Sequence, residues 1–207
     1  ILGHVFNNDT KENIVINETT NSPISESFRS IRTNLQFYAK GKDKQVFLIT
    51  SSYTGEGKSF VAQNLAAVYA LFGKKTLIIG FDLRRPKLYQ DFKLNNQKGI
   101  STALINQTSL PDIIQSTSIK NLDFISAGPI PPNPLELISS EKTEELINEL
   151  KNHYDYIIID SPPIGVVSDA YLLMKFSDVN LFVVRQGFSN KEAFSNSVNL
   201  LKQKNVP

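Results

Sequence analysis

The sequence has no cysteine, one methionine and only two histidines. Without cysteine there is no disulfide, no thiolate zinc site and no sulfur nucleophile. His4 and His153 stand far apart in the chain, which argues against a histidine-based metal centre. No apolar run approaches the roughly 20 residues that span a bilayer, and no signal peptide is visible. An excess of one charge is also missing: 22 basic residues stand against 20 acidic ones, a net charge of +2. That balance supplies no electrostatic footprint for nucleic acid or for an anionic membrane as a partner. Internal repeats and low-complexity tracts are absent as well.

What is present is a chain of 207 residues, 41% hydrophobic and 20% charged, enough for one globular domain with a sizeable core. Residues 1–22 are polar and weakly patterned and are expected to form an arm or juxtamembrane linker, with the domain occupying 23–207. The beginning at Ile1 and the end at Pro207, just after a helical pattern, are expected to be cuts within a longer protein. Ile24, Phe28, Ile31, Leu35 and Tyr38 recur at spacings of four and three and predict a helix over 23–40. Short apolar runs then alternate with helical patterns. Strands are expected at 45–51, 76–82, 121–128, 154–160 and 179–185. The runs are mostly continuous rather than alternating, as in parallel strands covered on both faces. The helix after the first strand is expected to end on Gly73, and a capping box of Ser189 and Glu192 to start the last one. This is the pattern of a doubly wound α/β domain. Ligands bind such sheets beyond the carboxyl ends of the strands, so the residues after each run carry the chemistry.

The first of these ends reads "SYTGEGKS", residues 52–59. Gly55 and Gly57 allow a tight turn whose amide groups point inward at phosphate oxygens. Thr54, Glu56 and Phe60 complete the loop and its exit. Lys58 supplies a charge for the β- and γ-phosphates, and Ser59 a hydroxyl ligand for Mg²⁺. The following helix adds its N-terminal dipole. Ser52 stands where the usual pattern has its first glycine.

Asp82 follows the second strand in "IIGFDLRRP", and Asp160 the fourth in "IIIDSPP". An acid at the end of a buried strand is a metal-side carboxylate in many P-loop proteins, although Asp also caps turns. Two of them beside a P-loop favour the metal role. Arg84, Arg85 and Lys87 crowd the same end and are expected to be solvated rather than on phosphate. Glu26 and Arg29 form an i,i+3 pair with Arg32 one turn on. From the residues alone this is a charged solvent face.

The order "TGEGKS … FDLRRP … AGPIPPNPLEL … YDYIIIDSPPIGVVSDA" resembles the bacterial tyrosine kinases, cytoplasmic modules of capsule and exopolysaccharide co-polymerases. The resemblance runs from about residue 23 to the end. It implies a P-loop fold, ATP and ADP with Mg²⁺, and catalytic roles for Lys58, Asp82 and Asp160, with Ser59, Asp82 and Asp160 on the metal. It also matches Glu26, Arg29 and Arg32 to an intersubunit motif. The implied partners are other copies of the chain in a ring, whose tyrosine tails are phosphorylated in trans, a transmembrane co-polymerase segment, fused or separate, and a cognate tyrosine phosphatase. The implied place is the cytoplasmic face of the cell membrane. Tyr53 occupies the position of the second signature lysine of the related partition-type ATPases, which favours the kinase branch. Two departures stand out. Gly80 replaces the first aspartate of the family's D-x-D, and no tyrosine cluster or last family strand precedes Pro207. The alternatives are a partition-type ATPase and a non-catalytic nucleotide-binding scaffold, the latter favoured by Gly80.

Overall fold

A computed structural model of the chain describes residues 1–8, 10, 12–16, 22–38 and 45–203. The end of the first expected helix at 39–40, residues 17–21 of the expected arm, and the last residues to Pro207 lie outside the described residues.

The elements run α1 (Pro23–Tyr38), β1 (Gln45–Ser51), α2 (Lys58–Leu71), β2 (Thr76–Gly80), α3 (Leu88–Asp91), α4 (Ile100–Leu104) and α5 (Leu110–Ile113). They continue with β3 (Ile114–Ser116), β4 (Leu122–Ile125), α6 (Pro134–Ser139), α7 (Glu141–His153), β5 (Tyr156–Asp160), α8 (Asp169–Met174), β6 (Val179–Val183) and α9 (Lys191–Gln203). The strand order is β3-β4-β2-β5-β1-β6, parallel throughout except for β3 against β4. The doubly wound α/β fold is therefore present, with one strand more than the five expected. β3 is a three-residue antiparallel edge strand with little apolar content, and so has no run to betray it.

Alternate residues of each central strand enter opposite cores. Val46, Leu48, Leu77, Ile79, Ile157 and Ile159 pack on one face, and Phe47, Ile49, Ile78, Tyr156 and Ile158 on the other. Both faces are buried, which is why the runs read as unbroken hydrophobic sequence. α1 lies on α2 through Phe28, Ile31 and Leu35, and the rings of Phe28 and Phe60 are 6.0 Å apart.

Four local expectations are adjusted. The described residues of the expected arm are less arm-like than their polarity suggests. Ile16 is buried, the Val15 N–H donates to Asn64 Oδ1 (2.8 Å), and Asn64 Nδ2 donates to the Asn13 carbonyl (2.8 Å). The helix α2 ends at Leu71, and Gly73 takes the left-handed turn just beyond it with φ 84°. β2 and β6 stop at Gly80 and Val183, short of the expected ends at 82 and 185. Last, α9 is capped by Asn190, whose Oδ1 accepts the Ala193 N–H at 3.0 Å. Ser189 instead accepts the Arg185 N–H at 2.8 Å and closes the preceding turn, so the Ser189–Glu192 box does not form.

Candidate functional site

β5 lies between β1 and β2, with Asp160 in register with Ile49 on one side and Gly80 on the other. The sheet order alone therefore brings the three sequence-predicted ends to one place. A cleft of about 280 Å³ opens there, lined by Thr54, Gly55, Gly57, Lys58, Ser59 and Phe60 and by Gly80, Asp82 and Asp160. Leu88, Tyr89, Phe124 and Ala127 form an apolar side of the same cleft.

The phosphate loop is built by backbone conformation. Gly55 and Gly57 have φ of 92° and 95°, a region that other residues enter only with strain. Glu56 is buried and its Oε2 accepts the Tyr53 N–H at 2.8 Å, which closes the loop on itself. Ser52 is not among the residues with positive φ, so glycine is dispensable at that position. Ser52 is also held from outside. Its carbonyl accepts the Gly165 N–H at 3.1 Å, and a Cβ at Gly165 would lie 2.6 Å from that oxygen. The close approach requires glycine at 165, a requirement with no local signal in the sequence.

Ser59 Oγ donates to Asp160 Oδ2 at 2.7 Å, while Asp160 Oδ1 is buried without a hydrogen-bond partner. Burial pushes the Asp160 carboxyl up to about 6, against the pull of Lys58 and of the Ser59 hydroxyl. A buried carboxylate oxygen with no donor is costly by itself. Beside a hydroxyl and a lysine at the mouth of a phosphate loop, it fits one ligand of a divalent cation carried by a nucleotide. Among the described residues there is no group of three or more His, Cys, Asp or Glu side chains that could hold a metal ion. The donor set suits a metal shared with phosphate oxygens and water rather than a protein-only cage.

Of the two roles weighed for Asp82, the turn cap is the one its hydrogen bonds display. Its Oδ1 accepts the N–H groups of Arg84 (3.2 Å) and Arg85 (2.9 Å) and so caps the turn, while the residue lines the cleft. Arg85 and Lys87 are exposed and also line it, whereas Arg84 turns away and pairs with the buried carboxylate of Asp169. Arg84 keeps the expected exposure, 40% of its side chain, but is also claimed by a carboxylate withdrawn from water. Arg185 has no motif around it to mark a role. Its guanidinium donates to the Gly55 carbonyl at 3.1 Å and lies over the Phe188 ring.

The α1 triplet divides. Arg29 donates to Glu26 on the exposed side of the helix. Arg32 instead folds over the ring of Phe72, 3.9 Å from its centroid, with Nε buried. Glu26 and Arg29 thus form an outward pair, and Arg32 ties α1 to the end of α2.

The chain matches the AAA domain family over residues 44–205. It is 40% identical over 182 residues to the tyrosine-protein kinase YwqD of Bacillus subtilis (strain 168), covering 88% of this chain and 77% of that protein. It is 34% identical over 181 residues to the tyrosine-protein kinase etk of Escherichia coli (strain K12), covering 87% of this chain but only 25% of that longer protein. Among solved structures, the chimerical protein CapA2B2 superposes with a TM-score of 0.92 at 39% identity, covering all of this chain (100%) and 90% of its own. A phosphate loop, two acids on neighbouring strand ends and kinase relatives of this similarity together place the chain in the bacterial tyrosine-kinase family of P-loop nucleotide-binding proteins.

Proposed function

We propose that this domain is an ATP-dependent, Mg²⁺-requiring protein-tyrosine autokinase. It would phosphorylate tyrosines of neighbouring copies in a ring and so regulate capsule or exopolysaccharide assembly at the cytoplasmic face of the membrane. The observation that carries the reading is the convergence of Lys58, Ser59 and the unsatisfied Oδ1 of Asp160 in one cleft. Tyr53, 47% exposed beside the loop, separates it from an ATPase switch that needs a second lysine there.

The chemistry is positional and electrostatic. The loop amides and Lys58 hold the β- and γ-phosphate oxygens. The phenol oxygen attacks the γ-phosphorus in line, the bond to the β–γ bridging oxygen breaks, and ADP leaves. Asp82, at the cleft wall, orients the phenol and takes its proton. Bound Mg²⁺ would neutralise charge on the phosphates, and Ser59 and Asp160 are the residues that would hold it. The acceptor comes from outside this domain's core. Tyr69 and Tyr156 are buried with ring centroids 4.0 Å apart, out of reach of any active site.

A co-polymerase segment, fused or separate, and a tyrosine phosphatase would act on the same cycle. Among the described residues no helix is long and apolar enough to cross a membrane. Incubating the full-length protein with ATP and Mg²⁺, and assaying phosphotyrosine and free phosphate together, tests the reading. Phosphotyrosine supports it; free phosphate alone indicates a partition-type ATPase, and neither product a scaffold.

Gly80 offers a second test. Phe81 points into the core, so Gly80 and Asp82 share the cleft side of the chain. A Cβ at Gly80 would meet Leu88 at 3.6 Å and the Ala127 nitrogen at 3.8 Å, ordinary contacts, and its φ is not positive. Gly80→Asp should therefore fold, place a second carboxylate beside Asp82 and speed phosphotransfer by about 10²-fold, the low end of general-base assistance. Quench-flow measurement of phosphotyrosine formation checks this. An unchanged or slower rate means that Asp82 alone suffices.

Assembly is the third. Arg29→Ala removes the half-buried partner of Glu26 and should yield a folded, nucleotide-binding monomer under conditions where the parent is oligomeric. Arg32→Ala should in addition lower the melting temperature by a few degrees, because its stacking on Phe72 is lost. Light scattering that returns the parent's mass for Arg29→Ala removes the assembly role.

A further inference from the structure

We propose that Arg84 and Asp169 are positioning residues for phosphoryl transfer, a clasp that aims the Asp82 carboxylate into the cleft from outside it. The proposal rests on the reading of Asp82 as the residue that orients the acceptor phenol.

The clasp is geometrically strict. Arg84 Nε donates to Asp169 Oδ2 at 2.8 Å, and Nη2 donates to Oδ1 at 2.9 Å. Two parallel bonds from a planar fork fix both direction and distance, which a point charge cannot do. The Asp169 side chain is 0% exposed and that of Arg84 40%. An exposed ion pair contributes little to stability, but here one partner has left water entirely. Loss of Arg84 would leave a bare buried carboxylate, so the pair is held closed.

What the clasp joins gives it a role. The backbone N–H groups of Arg84 and Arg85 both donate to Asp82 Oδ1. Arg84 therefore grips Asp82 with its main chain and Asp169 with its side chain. Asp169 ends the segment that starts at Asp160, and that segment is stitched to the phosphate loop. Ser161, Ile164 and Gly165 donate their N–H groups to the carbonyls of Ile49, Ser51 and Ser52 at 3.2, 2.9 and 3.1 Å. The path from phosphate loop to Asp169 to Arg84 to Asp82 is continuous. Phe81 and Leu83 anchor the backbone in the core, and Arg84 ties the turn that orients the carboxylate, at 82–85, to Asp169. Neither Arg84 nor Asp169 lines the cleft, so an effect on chemistry is indirect, and Asp82 is the cleft residue that Arg84 itself grips.

A staple that merely holds α8 in place would show the same contacts. A double-mutant cycle separates the two. In the full-length protein, the rate of phosphotyrosine formation at saturating ATP, per ATP site titrated by calorimetry, is compared for the parent, Arg84→Lys, Asp82→Asn and the double variant. Arg84→Lys keeps the charge and loses the fork. It should slow the rate by about 10- to 100-fold, the scale of a 1 Å misplacement, and leave the ATP concentration for half-maximal rate within about threefold. In the Asp82→Asn background the same change should cost almost nothing further. Asp169→Asn, should it fold, should behave as Arg84→Lys does. Equal losses in both backgrounds, or no loss from Arg84→Lys, overturn the clasp and leave Asp82's role standing. An Asp82→Asn variant as fast as the parent removes both.

Discussion

Replacing Lys58 by methionine is expected to weaken ATP binding by about 10- to 100-fold and to slow phosphotyrosine formation by about 10³-fold or more. Methionine keeps roughly the length of the stem and removes the charge. Lys58 is the first residue of α2, placed at the cleft by the left-handed turn at Gly57. The bound nucleotide would lose a charge-assisted contact, worth about 1.5–3 kcal/mol, and the transition state more, because charge builds on the transferring oxygens. The change also reaches Asp160. Lys58 opposes the rise that burial imposes on that carboxyl, so the methionine variant should hold Asp160 protonated to higher pH. Calorimetry gives the affinity, and an affinity equal to the parent's would contradict the phosphate-loop assignment.

Asp160→Asn is the second large effect. Phosphotransfer should fall by about 10³-fold while fold and ATP binding without Mg²⁺ persist, because asparagine still accepts from Ser59 but offers no anion for the metal. Stability should move the other way. Burial raises the Asp160 carboxyl from 3.8 to about 6 in the nucleotide-free protein, with Asp82 and Asp91 adding to the rise and Lys58 and Ser59 opposing it. A carboxyl raised on folding favours the folded state while protonated. That contribution is present below about pH 4 and is lost as pH climbs through about 6. At pH 8, without nucleotide, Asp160→Asn should therefore melt a few degrees above the parent, and the gap should close toward pH 4. Calorimetric melting at the two pH values checks this, and a variant less stable than the parent at pH 8 would show that the ionised carboxylate supports the fold.

The parts of the site that lie close together in the chain are legible in the amino-acid sequence. "TGEGKS" after an apolar strand reads as a phosphate loop because its chemistry resides in backbone torsions that glycine announces. Asp82 and Asp160 can be placed because buried parallel strands are unbroken hydrophobic runs, Asp160 closing β5 and Asp82 lying two residues beyond β2. What the sequence hides acts over long range. Arg84 meets Asp169 across 85 positions, and Arg185 meets Gly55 across 130. Gly165 matters only because another backbone passes 2.6 Å from its missing Cβ. The docking of residues 13–15 is hidden because Asn64 recognises main-chain atoms there, the Asn13 carbonyl and the Val15 N–H, which leave no mark on residue choice. Arg32 reads as a solvent-facing charge because its partner, the Phe72 ring, belongs to another helix end.

The most direct test uses two forms of the full-length chain that differ in mass. The Lys58→Met form serves as acceptor and the parent as enzyme, mixed with ATP and Mg²⁺, and phosphotyrosine is read on each by mass spectrometry. The expected result is phosphotyrosine on the Lys58→Met chain when the parent is present and none when it is alone. Free phosphate without phosphotyrosine on either chain would contradict tyrosine kinase activity.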